Sequence, residues 1–213
     1  LLEVYFDFMD NEIKPTLTIR GFQVFKGLIG LREQHLIVAE LRNVVRQAPM
    51  FSPTTPGGRK MSVRLSAAGN YGWYSDASGY RYVDRHPDGQ PWPSIPDLAF
   101  GLWRNLVSDV RLPDCCLVNH YTENAKMGMH QDKDEADFTW PVLSISLGDD
   151  ALFRMGNVVR GGKTESILLS SGDVVLMGGD ARLAHHGVDR IKFGTSTLLK
   201  QGGRINLTLR VVD

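Results

Sequence analysis

The spacing of apolar positions changes near residue 115. Upstream of it, residues 33–47 carry Leu36, Ile37, Leu41, Val44 and Val45 at helical intervals. That places an apolar stripe on one face and predicts an amphipathic helix. Residues 94–111 do the same with Leu98, Leu102, Leu106 and Val107, and Ser94-Ile95-Pro96-Asp97 reads as a capped helix start. Thr18–Phe25 and Met61–Ser66 alternate between apolar and polar positions, so each predicts a strand. Pro49, Pro53, Pro56, Gly57 and Gly58 break the chain into a loop between them. Residues 69–93 interleave Tyr71, Trp73, Tyr74, Tyr80, Tyr82 and Trp92 with Gly, Arg, Asp and Pro, and predict a hairpin followed by a long loop.

From Cys115 onward the pattern becomes short strands divided by turns. The candidates are Cys116–Tyr121, Met127–Gln131, Val142–Leu147, Ala151–Met155, Glu165–Leu169, Asp173–Met177, Ala184–Val188 and Arg204–Val211. Glycines punctuate them, including Gly148, Gly161-Gly162, Gly178-Gly179 and Gly202-Gly203. Eight short strands with glycine turns predict a double-sheet barrel or jelly roll, with the two upstream helices packed on one sheet. The fold class is α+β, mainly β. Residues 1–213 read as a single domain, in which 1–114 and 115–213 meet at a seam rather than a linker.

Composition narrows the function classes. The chain has 213 residues, with 24 Lys+Arg against 24 Asp+Glu. Zero net charge argues against a purely electrostatic nucleic-acid binder, although a local basic surface fits within it. Lys126, Lys133, Arg154, Arg160, Lys163 and Arg182 are candidates for such a surface; Glu123, Glu135 and Asp137 could balance them as an ordinary solvated face. Cys115 and Cys116 are adjacent, so they read as reduced thiols, and a cytoplasmic location is expected. No apolar run approaches the ~20 residues of a membrane span. The opening Leu1-Leu2 is followed by acidic residues without a basic start or a long apolar core, so no signal peptide is expected.

The candidate chemistry is concentrated at His130-Gln131-Asp132-Lys133-Asp134-Glu135. His130 and Asp132, two positions apart, project to the same side of an extended chain. Leu183-Ala184-His185-His186-Gly187-Val188 lies some 54 residues beyond Asp132 and offers a third ligand, either His185 or His186. Two histidines and a carboxylate with open positions opposite suit non-haem Fe(II). On the last strand, Arg204, Asn206, Thr208 and Arg210 share one face, while Ile205, Leu207 and Leu209 share the other. An inward arginine needs an anionic partner, and its planar fork fits a carboxylate. Two of them predict a bound dicarboxylate.

These segments, in this order, resemble the AlkB family, and specifically its bacterial branch. The resemblance rests on Asn119-His120-Tyr121, on His130 through Glu135, and on Ser144-Ile145-Ser146-Leu147-Gly148. It rests equally on Ser171-Gly172-Asp173-Val174-Val175, His186-Gly187-Val188 and Arg204 through Arg210. Weaker support comes from Thr55-Pro56-Gly57-Gly58 with Met61-Ser62-Val63, and from Gly72-Trp73 through Gly79-Tyr80 to Pro91-Trp92-Pro93. The family consists of Fe(II)- and 2-oxoglutarate-dependent dioxygenases that demethylate alkylated nucleic-acid bases. The resemblance implies a double-stranded β-helix (jelly roll) with N-terminal helices and a nucleotide-recognition lid packed on it.

By the same resemblance, His130, Asp132 and His186 form the catalytic metal set, His186 being the distal histidine. Asn119, Tyr121, Ser144, Arg204, Asn206 and Arg210 are implied to hold 2-oxoglutarate, with O2 completing the co-substrates. Trp73 and His130 would sandwich the methylated base. Tyr80, Arg81, Tyr82 and Met61 would contact the nucleotide, Arg160 would reach over the pocket, and Asp134 would lie near a cationic base. Alkylated single- or double-stranded DNA is the implied partner, with RNA beside it, and a monomer is expected. The implied products are formaldehyde, succinate and CO2. The alternative is a 2-oxoglutarate oxygenase acting on protein or a small molecule. Three positions depart from the family's habit: Met177 for a frequent Trp, His120 for a more usual Arg, and His185 for a more usual aromatic. None of the three removes a ligand, and any effect would fall on the polarity of the pocket and hence the preferred lesion.

Overall fold

The computed structural model describes residues 13–108 and 110–213. The opening residues on which the signal-peptide reading rests lie outside that range. Strands β1 (Leu17–Ile19) and β2 (Phe22–Phe25) come first, then helix α1 (Leu31–Gln47) and strand β3 (Arg64–Gly69). The hairpin strands β4 (Gly72–Asp76) and β5 (Gly79–Val83) follow, and then helix α2 (Asp97–Leu106). The second half supplies β6 (Cys115–Tyr121), β7 (Met127–His130), β8 (Val142–Gly148), β9 (Asp150–Met155) and β10 (Glu165–Leu169). It ends with β11 (Val174–Met177), β12 (His186–Lys192) and β13 (Arg204–Arg210).

Two antiparallel sheets carry the architecture. The larger has seven strands in the order β1-β2-β11-β8-β13-β6-β3, and the smaller has four in the order β10-β9-β12-β7. The hairpin β4-β5 stands apart as a two-stranded sheet. All eight strands expected after residue 115 are present. Their sheet is extended at both edges by strands from the first half of the chain.

The large sheet is covered on both faces, which explains why β8 is buried along its whole length. Leu143, Ile145 and Leu147 of β8 join Leu207 and Leu209 of β13 in a cluster with Ile37 and Leu41 of α1 and Leu102 and Trp103 of α2. Alternation then turns Ser144, Ser146, Arg204, Asn206, Thr208 and Arg210 toward the small sheet. A second cluster fills the space between sheets, with Phe22, Val24, Tyr121, Phe153 and Met155. A polar chamber therefore opens at one end of an apolar interlayer.

Three upstream expectations need correction. Thr18–Phe25 is a hairpin, not one strand, because Arg20 and Gly21 both adopt positive φ (51° and 84°) and turn the chain back on itself. The strand expected over Met61–Ser66 begins at Arg64; Met61 instead donates its backbone N–H to Pro53 O at 2.9 Å within the preceding loop. The second helix is shorter than 94–111. Pro96 occupies its N-cap and no side chain caps it, so Ser94 does not play that part.

The helix-covered sheet is the element whose packing the site rests on. Leu207 is fully buried there. Leu207→Ala should lower the unfolding free energy by about 2–5 kcal/mol, the range for deleting a packed leucine, as measured by urea denaturation of the metal-free chain.

Candidate active site

Strands β7 and β12 pair antiparallel with His130 directly opposite His186. The close pairing depends on Gly187. A Cβ there would meet Met127 O at 2.6 Å and Gly128 O at 2.9 Å, too near for any other residue without displacing β7. Asp132 lies just beyond the end of β7. Its Oδ1 is 3.6 Å from His130 Nε2 and its Oδ2 is 3.7 Å from His186 Nε2. One ligand atom from each of the three lies within 4.8 Å of the others.

The hydrogen bonds orient both rings. His130 Nδ1 is 2.8 Å from Gly128 O, and His186 Nδ1 is 3.0 Å from Ala184 O. A carbonyl accepts only from a protonated nitrogen, so each ring carries a proton on Nδ1 and presents its Nε2 to Asp132. Burial, followed by the neighbouring His130, lowers the His186 pKa to about 4, so it is neutral at physiological pH. Burial pushes the Asp132 carboxyl up, but Arg210, His186, His130 and Arg182 together hold it well below the usual carboxylate range. The set thus offers two imidazoles and one carboxylate, the donor chemistry of a non-haem iron site. His185 is turned elsewhere, its Nδ1 3.0 Å from Asn157 O.

The co-substrate candidates converge on the inner face of three adjacent strands: Asn119 and Tyr121 on β6, Ser144 on β8, and Arg204, Asn206 and Arg210 on β13. Asn206 Nδ2 donates to Ser144 Oγ at 2.8 Å and to Ile145 O at 3.0 Å, and Asn119 Nδ2 donates to Asn206 O at 3.3 Å. Burial pushes the Tyr121 phenol up. Arg204 is 1% exposed. Its guanidinium donates to Asp149 O at 3.1 Å, Leu169 O at 3.2 Å and Ser146 Oγ at 2.6 Å, and its Nε has no partner. Among the described residues no carboxylate pairs with it, and burial lowers its pKa to about 10. A buried cation held only by neutral oxygens, with an orphaned N–H, fits an anionic ligand.

Arg210 is differently placed. Its Nη2 donates to Asp132 Oδ2 at 3.1 Å and Thr208 Oγ1 at 3.0 Å, and its Nη1 to Tyr82 Oη at 2.9 Å and Glu135 Oε1 at 2.7 Å. Only its Nε is unpartnered, so it has far less capacity left for a ligand than Arg204. Glu135 and Arg182, read from the sequence as members of a solvated face, are both buried and paired at 3.2 Å. Arg182 is therefore no part of a phosphate-binding surface. Nothing in the sequence distinguishes Glu135 from the acids beside it; only the fold turns it inward.

The hairpin β4-β5 brings the aromatic residues to the mouth of this chamber. Trp73 Nε1 donates to Asp134 Oδ2 at 2.9 Å, and the Trp73 and Tyr80 rings stack at 5.3 Å with 18° between planes. Tyr82, opposite Trp73 in the hairpin register, turns its hydroxyl onto Glu135 Oε1 at 2.6 Å. Arg81 faces the other way, paired with Asp76 at 2.8 Å and lying over the Tyr74 ring. Met61 is half-buried in the preceding loop, and Arg160 is exposed between β9 and β10. Of the three departures, Met177 is buried in the interlayer cluster. His120 alternates away from Asn119 and Tyr121, and His185 points to Asn157, so both side chains are turned from the chamber.

Comparison with known proteins places this geometry. The profile of the 2OG-Fe(II) oxygenase superfamily matches residues 21–210. The chain is 52% identical over 198 residues to the alpha-ketoglutarate-dependent dioxygenase AlkB homolog of Caulobacter vibrioides, covering 92% of this chain and 90% of that one. It is 37% identical over 179 residues to the alpha-ketoglutarate-dependent dioxygenase AlkB of Escherichia coli, covering 82% of each. A solved structure, that of OsALKBH1, superposes with a TM-score of 0.78 at 32% identity, over 92% of this chain and 98% of that one.

Two outcomes follow from the site's geometry. Gly187→Ala should separate β7 from β12 and weaken Mn(II) binding by on the order of 10- to 100-fold, read by electron paramagnetic resonance titration. The second concerns pH. The His186 imidazole has an ordinary pKa of 6.5 and a folded one of about 4, so the unfolded chain binds more protons between these values. The metal-free protein should therefore lose stability as pH falls from 6.5 toward 4, by up to about 3 kcal/mol. His186→Gln should flatten that part of the Tm-versus-pH curve.

Proposed function

This chain belongs to the 2OG-Fe(II) oxygenase superfamily, in its AlkB branch, and on that premise we propose that it removes methyl groups from ring nitrogens of DNA bases. It is a 2-oxoglutarate-dependent dioxygenase that uses Fe(II), 2-oxoglutarate and O2. The observation that carries the substrate reading is the Trp73–Asp134 contact at 2.9 Å. It sets an aromatic face and a carboxylate side by side, two residues from Asp132. 1-Methyladenine and 3-methylcytosine are flat and positively charged, so both features favour them. RNA carrying the same bases presents the same chemistry.

His130, Asp132 and His186 would hold Fe(II), and Arg204 would take the far carboxylate of 2-oxoglutarate. Asn119, Tyr121, Ser144 and Asn206 would line the rest of its chamber, with the Arg210 Nε at the near end. When bound, iron and 2-oxoglutarate supply the oxidising power that hydroxylates the methyl carbon. The balance is one O2, one 2-oxoglutarate and one N-methyl base giving succinate, CO2, formaldehyde and the N–H base. The apolar interlayer closes the chamber from beneath. Tyr80 would yield its place on Trp73 so that the base enters between Trp73 and His130. Arg81 and Met61 would contact the flanking nucleotide backbone and Arg160 would reach over the pocket, whereas the Tyr82 hydroxyl is committed to Glu135 and Arg210. The exposure of Arg160 supports its assignment.

The test is formaldehyde release from oligonucleotides carrying 1-methyladenine or 3-methylcytosine, with iron and 2-oxoglutarate omitted in turn. Release that needs both is expected. If 2-oxoglutarate turnover ignored every methylated DNA and RNA while a peptide or small molecule stimulated it, the substrate reading would be lost. Asp134→Asn should raise KM for the cationic bases by roughly 10-fold, and should change it little for an uncharged base such as 3-methylthymine.

A further inference from the structure

Behind the metal set, Asp132 and Arg210 are tied into a buried cluster with two residues that the reaction does not use directly, Glu135 and Arg182. Glu135 has no exposed side-chain surface. Its Oε2 is 3.2 Å from Arg182 Nη2, and its Oε1 is 2.7 Å from Arg210 Nη1. Both arginines then reach the same residue. Arg210 Nη2 donates to Asp132 Oδ2 at 3.1 Å, and Arg182 Nη1 donates to Asp132 O at 2.6 Å. Arg182 also fixes the next segment by donating to Trp140 O at 2.8 Å. Asp132 is thus held through its side chain by one guanidinium and through its backbone by another, and Glu135 holds both.

The charges in this cluster balance. Two guanidiniums face two carboxylates, and the side chains of all four are mostly or fully shielded from water. Without Glu135 the same space would carry two cations against Asp132 alone. Arg210 would then draw on Asp132 without competition, and the surplus positive charge would stand beside the place where a dication binds. In a low-dielectric interior such a surplus is felt strongly.

We propose that Glu135 is a positioning residue that neutralises the Arg182–Arg210 pair, leaving Asp132 its full negative charge for the metal. The proposal rests on the reading of His130, Asp132 and His186 as the metal set. It makes a demand that a merely structural role does not. Removing the Glu135 charge must weaken the binding of a metal dication without weakening that of a co-substrate dianion, because one is repelled by the surplus and the other is not.

The experiment measures two dissociation constants without turnover. Mn(II) alone is titrated by electron paramagnetic resonance. N-oxalylglycine, a non-reacting dianionic analogue of 2-oxoglutarate, is titrated calorimetrically at saturating Mn(II). Saturable Mn(II) binding by the wild-type chain that His186→Ala abolishes establishes the metal set; its absence would sink that reading, and the proposal with it. Glu135→Gln is expected to weaken Mn(II) by roughly 10- to 100-fold, while N-oxalylglycine binds as tightly as before or more tightly. Glu135→Asp, which keeps the charge, should recover most of the Mn(II) affinity. Glu135→Gln combined with Arg182→Met restores the balance of charge, and should bind Mn(II) more tightly than Glu135→Gln alone. Parallel loss of Mn(II) and N-oxalylglycine binding in Glu135→Gln would overturn the proposal, as would a double variant weaker than the single one. Should Glu135→Gln fail to fold, the double variant decides alone. Mn(II) affinity within about 10-fold of wild type sustains the proposal, and a larger loss defeats it.

Discussion

The close pairing of β7 with β12 is the constraint on which the rest of the site depends. It sets His130 opposite His186 and requires that the residue after His186 have no side chain. Once those strands meet, the backbone carbonyls of Gly128 and Ala184 fix both rings. Asp132 then follows at the strand end, where the chain turns to leave the sheet. Other parts of the molecule serve this junction: the large sheet supplies its opposite wall, and the helices hold that sheet flat against it.

The second half of the chain was readable because its chemistry and its fold share one period. On β13, alternation alone separates Arg204, Asn206, Thr208 and Arg210 from Leu207 and Leu209, and the structure keeps that division. His186 over His185 was not decidable from the strand pattern; the resemblance to a family chose it, and the geometry agrees. The first half was less legible. A two-residue turn with positive φ at a non-glycine, Arg20, carries no strong sequence signal. In the run Lys133-Asp134-Glu135, residue pattern alone makes all three surface charges, and only the family resemblance gives Asp134 a role. Its members have different fates because the hairpin covers one and the arginines of β13 and the β11–β12 connection capture another. Such captures join residues up to 75 positions apart, beyond the reach of local patterning.

The β4-β5 hairpin is attached to the core in two chemically different ways. Trp73 reaches Asp134 at the solvent side, and Tyr82 reaches the buried carboxylate of Glu135. The outer contact can be exchanged for a ligand because water can replace it. The inner one is surrounded by charge, and desolvation pushes the Tyr82 phenol well above its ordinary pKa, so it stays a donor. A hairpin fastened on its buried side and loosely tied on its solvent side can change what it stacks against without leaving the molecule.

Arg204 carries a last consequence. Its guanidinium is fully enclosed, yet its partners are two backbone carbonyls and a serine hydroxyl. The chamber is therefore incomplete as a set of charges, and its deficit sits at a fixed depth on the wall formed by β13. A keto acid with a single carboxylate could satisfy the metal end and still leave that deficit untouched. Only a molecule with a second negative group at the right remove answers it. With 2-oxoglutarate held there as proposed, the wall would work as a gauge, reading both the charge and the length of whatever lies along it.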